Sequence, residues 1–306
     1  PIISSINLIE YSLWGINPFG YHFTNAFIHI LNSVLLYNFS LIILNNKGLS
    51  IISAAIFILH PILGHSIFWI SGRTDMLSLS FYLSSLIYIV HFVQKNNLKL
   101  LIISQSLFLL AILSKEIAAT IPLAQYLLIY WKIDKQKAGH GLKQLVAKII
   151  LSNALVIILF FSYRYFIFNQ NPFIIDDIYN IGGLSQLLLN IMKMVSFLLV
   201  PFGHGWLETY LLDYKLYLII ILVPISVKGL IFLYNNRDSY QIVILIFLML
   251  FISVIPLFKL TMRWYLYVPS SFFSILLAII IIRSKAKSRI LYSGMLIYLG
   301  LFMVGS

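Results

Sequence analysis

Long apolar runs joined by short polar links recur from one end of this chain to the other, and they decide what it can fold into. They are Phe23–Leu44, Leu49–Leu59, Met76–Val93, Leu100–Leu113, Ile117–Trp131, Ile149–Phe168, Leu216–Tyr234, Gln241–Ile255, Trp264–Ile282 and Ile290–Val304. A helix rises about 1.5 Å per residue, so roughly 20 apolar residues cross a hydrocarbon core of about 30 Å. No soluble core could absorb so many such runs. Of the 306 residues 61% are hydrophobic and 10% charged, where a soluble domain is about a quarter charged. The expected fold is an all-α polytopic membrane protein of about ten transmembrane helices with interfacial or re-entrant helices. The chain has no cysteine, which excludes disulfides and thiolate chemistry.

The net charge of +12 is informative once it is sorted by loop. Lys47, Lys95, Lys99, the Lys132–Lys148 loop, Lys228–Arg237 and Arg283–Arg289 fall on one side, which takes 14 of the 21 lysines and arginines. Positive charge marks the cytoplasmic side. Of nine acids, seven fall on the opposite, outer face: Glu10, Asp75, Glu116, Asp176, Asp177, Glu208 and Asp213. The chemistry is therefore expected there. The Lys132–Lys148 loop, with Gly139-His140-Gly141 as its flexible point, reads as meeting anionic lipid headgroups, not nucleic acid. In this topology Leu184–Val200 cannot cross fully. Its Gln186, Asn190, Lys193 and Ser196 suit an interfacial or re-entrant helix.

The polar island His60–Asp75 (HPILGHSIFWISGRTD) stands out from these surroundings. Ionisable groups near membrane depth are costly, so each is a functional candidate. Arg73 and Asp75 head the Met76 run, either as site residues or as a helix cap. Lys115-Glu116 sits at the apex of a tight helical hairpin, as a site pair or as two mutually satisfied charges. His60 and His65 are metal, proton-shuttle or structural candidates; their five-residue spacing across Pro61 is poor for a shared metal. Asp176-Asp177 resembles half of a sugar-nucleotide motif, or is a solvated loop. Arg164 either serves a lipid phosphate or snorkels. Arg263, Tyr265 and Tyr267 open a run at the outer interface, where an aromatic belt also fits. His22, Asn25 and His29 share one helix face and suit interhelical hydrogen bonds.

Four motifs in series then carry a resemblance: NPFGYHFTNAFIH (Asn17–His29), HPILGHSIFWISGRTD (His60–Asp75), LSKEIAATIPL (Leu113–Leu123) and RWYLYVPS (Arg263–Ser270). In this order the chain resembles multi-pass glycosyltransferases of the GT-C class, in their protein O-mannosyltransferase-like, tetratricopeptide-associated branch. The family often has Glu where His65 stands, and Glu-Arg directly before its Tyr-Leu-Tyr element, where Trp264 intervenes here. The resemblance implies a GT-C-like single transmembrane glycosyltransferase domain over residues 1–306, with no soluble domain. It implies inverting hexosyl transfer on the extracytoplasmic face from a polyprenyl-phosphate-linked sugar to a protein, lipid or glycan acceptor. The polyprenyl-phosphate sugar is then the donor substrate, with no further cofactor and no divalent metal expected. Arg73, Lys115, Arg263 and Arg164 are implied at the donor phosphate, and His60, His65, Tyr265 and Tyr267 around the pocket. The family's catalytic aspartate lies in the first outer loop, expected upstream of Pro1, so the chain reads as a fragment without that span and loop. Asp75 and Glu116 are secondary candidates for the base. A multi-pass protein of a bacterial inner membrane is read ahead of one in the endoplasmic reticulum. A transporter or lipid flippase, or a non-catalytic membrane scaffold, remains the alternative.

Overall fold

The structure is a computed structural model that describes residues 2–132, 140–168, 183–199, 240–258 and 262–283. Among these residues every element is helical. The expected runs Leu216–Tyr234 and Ile290–Val304, the loops after Phe168 and Val200, and the basic knot beyond Arg283 lie outside the described residues. The chain divides into two compact units, Pro1–Ile42 with Ser66–Asn180, and Ile43–His65 with Ile181–Ser306.

The first unit begins with α1 (Ile2–Trp14) and α2 (Pro18–Leu44). The sequence pattern starts this second helix at Phe23, but it starts five residues earlier. Asn17 caps it by accepting the Phe19 N–H at 3.1 Å, and Pro18 takes the first helical position, where a missing N–H costs nothing. Helix α5 (Arg73–Lys95) is the centre of this unit, buried at fourteen positions. It packs on α6 (Leu98–Ser114) through small residues that let the backbones approach. Ser78 donates to the Ala111 carbonyl at 3.4 Å, and seven residues on Ser85 donates to the Ser104 carbonyl at 2.9 Å. Gln125 on α7 (Ile121–Lys132) reaches Ser85 at 3.0 Å and Ser104 at 3.2 Å. Asn153 on α8 (His140–Phe168) donates to Gln125 at 3.0 Å, so one polar seam joins four helices.

The second unit holds α3 (Lys47–Ile58), α9 (Leu184–Leu199), α10 (Tyr240–Val254) and α11 (Tyr267–Arg283). Helix α11 packs against α3 and α10 with Val268, Phe272, Ile275 and Ala278 fully buried. The apolar run expected over Leu49–Leu59 ends at His60–Pro61, where Pro61 breaks the α-helix and a 3-10 turn, Pro61–Leu63, follows. Helix α3 and the segment Pro61–Phe68, which joins this turn to α4 (Gly64–Phe68), form a pair bent by 47°. Helix α9 has 16 residues, short of the roughly 20 that cross a bilayer. Its Asn190, Met194, Phe197 and Leu198 share one buried face.

Among the described residues five segments are long and apolar enough to cross a membrane: Pro18–Leu44, Ile70–Lys95, Lys143–Ile167, Tyr240–Leu257 and Trp264–Ile282. The bent pair makes a sixth if it counts as one span. Where a single span was expected over Ile117–Trp131, a 3-10 turn (Glu116–Thr120) precedes the 12-residue α7. The Lys132–Lys148 loop is shorter than its charges suggest, because α8 begins at His140 and carries Lys143 and Lys148 on its first turns.

Candidate functional site

Two sets of charges meet at one end of the first unit. The first is built on Arg73. Gly72 makes its position possible: a Cβ there would come within 2.7 Å of the Ser66 Cα, so only glycine lets the 3-10 turn Ile70–Gly72 press this close. Arg73 then opens α5, where the helix dipole opposes a cation. It is fully buried and acquires acceptors from two other helices. Its guanidinium pairs with Glu10 and donates to Asn25 Oδ1 at 2.8 Å, to the Tyr21 carbonyl at 3.1 Å and to Asn7 Oδ1 at 3.3 Å. Asn25 in turn donates to the carbonyls of Ile67 at 3.0 Å and Trp69 at 3.2 Å. Arg73, which the resemblance puts at a donor phosphate, is thus enclosed by protein groups and ties α1 and α2 to α5.

The second set faces outward. Asp75 lies in the first turn of α5, where a carboxylate suits the helix dipole. It is 2% exposed. Its Oδ2 accepts from Lys115 Nζ at 3.0 Å and from Thr74 Oγ1 at 3.3 Å, while Oδ1 is buried without a hydrogen bond. Lys115 is the extended residue between α6 and the Glu116–Thr120 turn. Next to it Glu116 approaches Arg164 at 3.6 Å, and both side chains are solvent-accessible. Arg164 also lies 5.9 Å above the Phe160 ring. Lys115, Glu116 and Arg164 border a cleft of about 120 Å³ whose wall is Ile112, Leu113, Phe160 and Tyr163. Cations at the rim of an apolar cleft suit an anion attached to a hydrocarbon.

Asp75, the adjacent pair Lys115-Glu116, and Arg164, three places far apart in sequence, are therefore brought together. His60, His65, Arg263, Tyr265 and Tyr267 belong to the second unit. His60 caps the Pro61–Leu63 turn: its Nδ1 accepts the Ile62 N–H at 3.3 Å and its Nε2 meets the Leu198 carbonyl at 3.1 Å. A carbonyl can only accept, so the ring is the Nε2–H tautomer. Phe273 packs edge-on against it at 5.8 Å. His65 is exposed, Tyr265 half-buried, and Tyr267 fully buried edge-on against Phe57 at 5.6 Å. Arg263 opens the turn Arg263–Leu266; its side chain, like Asp176 and Asp177, lies outside the described residues. Among the described residues no group of three or more His, Cys, Asp or Glu side chains could hold a metal.

Sequence reasoning gave Glu10 no role beyond an outer-face acid. Its signal was available: Asn7 and Glu10 stand three residues apart, one turn of one face, and Glu10 is the single charged residue of α1.

No family model and no solved structure matches the chain. It is similar to protein O-mannosyl-transferase TMTC1 of Homo sapiens, 38% identical over 72 residues, and to TMTC1 of Mus musculus, 37% identical over 72 residues. It is also similar to protein O-mannosyl-transferase TMTC2 of Homo sapiens, 34% identical over 84 residues. These matches take in 23% to 27% of the chain and 8% to 10% of the relatives' own lengths, so the similarity spans a small part of each. At that coarse level, a chain whose described elements are all helical, several of them apolar and of membrane-crossing length, is similar to mammalian protein O-mannosyl-transferases.

Proposed function

We propose that this chain is an integral-membrane glycosyltransferase, or a part of one, with a GT-C-like helical arrangement. It transfers a sugar from a polyprenyl phosphate to a protein hydroxyl on the extracytoplasmic face. The observation that carries the reading is the cleft with Lys115, Glu116 and Arg164 at its rim and Asp75 beneath Lys115. The short similarities to protein O-mannosyl-transferases support the same chemistry.

In this reading the acceptor hydroxyl oxygen attacks the anomeric carbon from the face opposite the phosphate. The bond from that carbon to the phosphate oxygen breaks, and the polyprenyl phosphate leaves with the bonding pair. Configuration at the sugar inverts. Lys115 and Arg164 neutralise the charge that grows on the leaving phosphate, so side chains supply the cations for this step. The hydroxyl proton needs a carboxylate within reach, and Glu116, the exposed one at the cleft, takes that part. Asp75 is a positioning residue that holds Lys115. Arg73 acts further back, by fixing the start of α5.

The test is sugar transfer from a polyprenyl-phosphate mannose to a serine- or threonine-containing peptide by the purified protein. Lys115→Ala and Arg164→Ala are each expected to lower kcat/KM by about 10²-fold, the scale of a lost charge-stabilising donor. Glu116→Gln should lower kcat with little change in KM for the donor. Wild-type rates in all three would overturn the site. Uptake of donor into vesicles without transfer would replace the transferase with a transporter.

A further inference from the structure

The opposite end of the first unit carries a different feature. Helices α7 and α8 enclose an apolar groove of about 330 Å³, lined among others by Leu123, Tyr126, Ile129, Ile150, Ala154 and Ile157. That volume is at the low end for small-molecule pockets, about 300–1,000 Å³, and it suits one hydrocarbon chain. The hydrogen bond from Asn153 to Gln125 sets the register of the two helices. Seven residues on from Gln125 is Lys132, and seven before Asn153 is Val146, with Lys143 one turn further out. By helix register Lys132 and Lys143 stand one turn beyond Ile129 and Val146, the last lining residues at this end, and Lys143 lies on the α8 stripe of Val146, Ile150, Asn153 and Ile157. Lys148 is exposed nearby. Lys132 Nζ stands 5.4 Å from the Trp131 ring centroid, and tryptophan with lysine is the side-chain pair that anchors at a headgroup layer.

Among the described residues the lysines at this end make no ion pair: the pairs are Arg73–Glu10, Lys115–Asp75 and Arg164–Glu116, all at the other end of the unit, and none includes Lys132, Lys143 or Lys148. From the apolar lining and these lysines we infer that the groove is a binding site for an anionic glycerophospholipid. One acyl chain lies between α7 and α8, and the phosphate sits at Lys132 and Lys143. A groove open to hydrocarbon does not stay empty in a bilayer; the lysines select which lipid fills it. The inference does not depend on the transferase reading.

The test is native mass spectrometry of the purified chain in mixed micelles holding equal dioleoyl phosphatidylglycerol and dioleoyl phosphatidylcholine. Each lysine at a membrane surface favours the anionic lipid about fivefold, so the wild type should retain phosphatidylglycerol over phosphatidylcholine about tenfold or more. Lys132→Gln with Lys143→Gln should bring the ratio close to one. Ala154→Phe, which fills the groove, should lower retention of both lipids. Lys99→Gln, the same charge loss at the start of α6, should leave the preference intact. Unchanged monodisperse elution and helical content qualify each variant. Equal retention by the wild type, a preference that survives the double substitution, or one lost equally in Lys99→Gln would overturn the site. Displacement of phosphatidylglycerol by a polyprenyl phosphate would reassign the groove to the donor.

Discussion

Arg73 has no exposure, and the acceptors around it come from α1 and α2, as much as 66 residues away in sequence. Arg73→Ala would strand the Glu10 carboxylate and the Asn25 side-chain oxygen in a buried space. Breaking a buried pair from one side costs about 3–5 kcal/mol. A large fall in the thermal midpoint of the detergent-purified protein is the expected readout. Glu10→Ala should destabilise comparably, and the double variant should lose less than the sum, with a coupling of about 1–3 kcal/mol. Strict additivity would refute the pairing. Arg73→Lys should rescue poorly, because an ammonium cannot reproduce the planar fork that serves Glu10, Asn7, Asn25 and the Tyr21 carbonyl together. At this scale the sequence was half readable. Asn25 was legible as an interhelical hydrogen-bonding residue from its helical spacing. The pairing of Arg73 with Glu10 was not, since nothing local connects residues on helices separated by α2.

Two Asn-Asn pairs organise helix junctions by the same device. Asn45 and Asn96 adopt left-handed backbone, with φ of 48° and 46°. Asparagine is one of the few non-glycine residues that reach that region, and there it ends a helix. The next residue starts the following helix: Asn46 accepts the Leu49 N–H at 3.0 Å, and Asn97 accepts the Lys99 N–H at 3.0 Å. Asn97→Ala should cost about 1 kcal/mol, the usual loss of an N-cap. Asn96→Gly should be neutral or slightly stabilising, whereas Asn96→Val should destabilise, because a β-branched residue is strained at positive φ. A midpoint unchanged in the Val variant would contradict the turn. Gly72→Ala belongs at this scale too. The obstacle is Ser66 backbone, which cannot swing aside, so a loss of about 1–3 kcal/mol is expected. Helix ends were the least legible elements. The apolar pattern stops where charges begin, yet α8 runs on through Lys148 and Lys143, because long lysine stems lie along a helix while their ammonium groups stay in water.

Across the first unit as a whole, the carboxylates of Glu10, Asp75 and Glu116 gather at one end, and Lys132, Lys143 and Lys148 stand toward the other. The chain has no cysteine, so single cysteines report topology without background. A membrane-impermeant maleimide should label Ser114→Cys from the extracytoplasmic side of intact cells and Gln144→Cys only after permeabilisation. Labelling of both from one side would overturn the orientation and, with it, the placing of the chemistry. By itself the sequence determined the helical class and several of the membrane-length segments, and it set the expectation that acids and bases segregate. Those follow from hydrocarbon thickness and from loop charge, which are readable along a line. Only the tertiary structure decided which charges meet. Asp75 joins Lys115, and Glu116 joins Arg164, because α5, α6 and α8 bring their ends together around small residues and a polar seam. The same packing encloses Arg73, the residue the sequence offered most prominently, among partners that no motif announces.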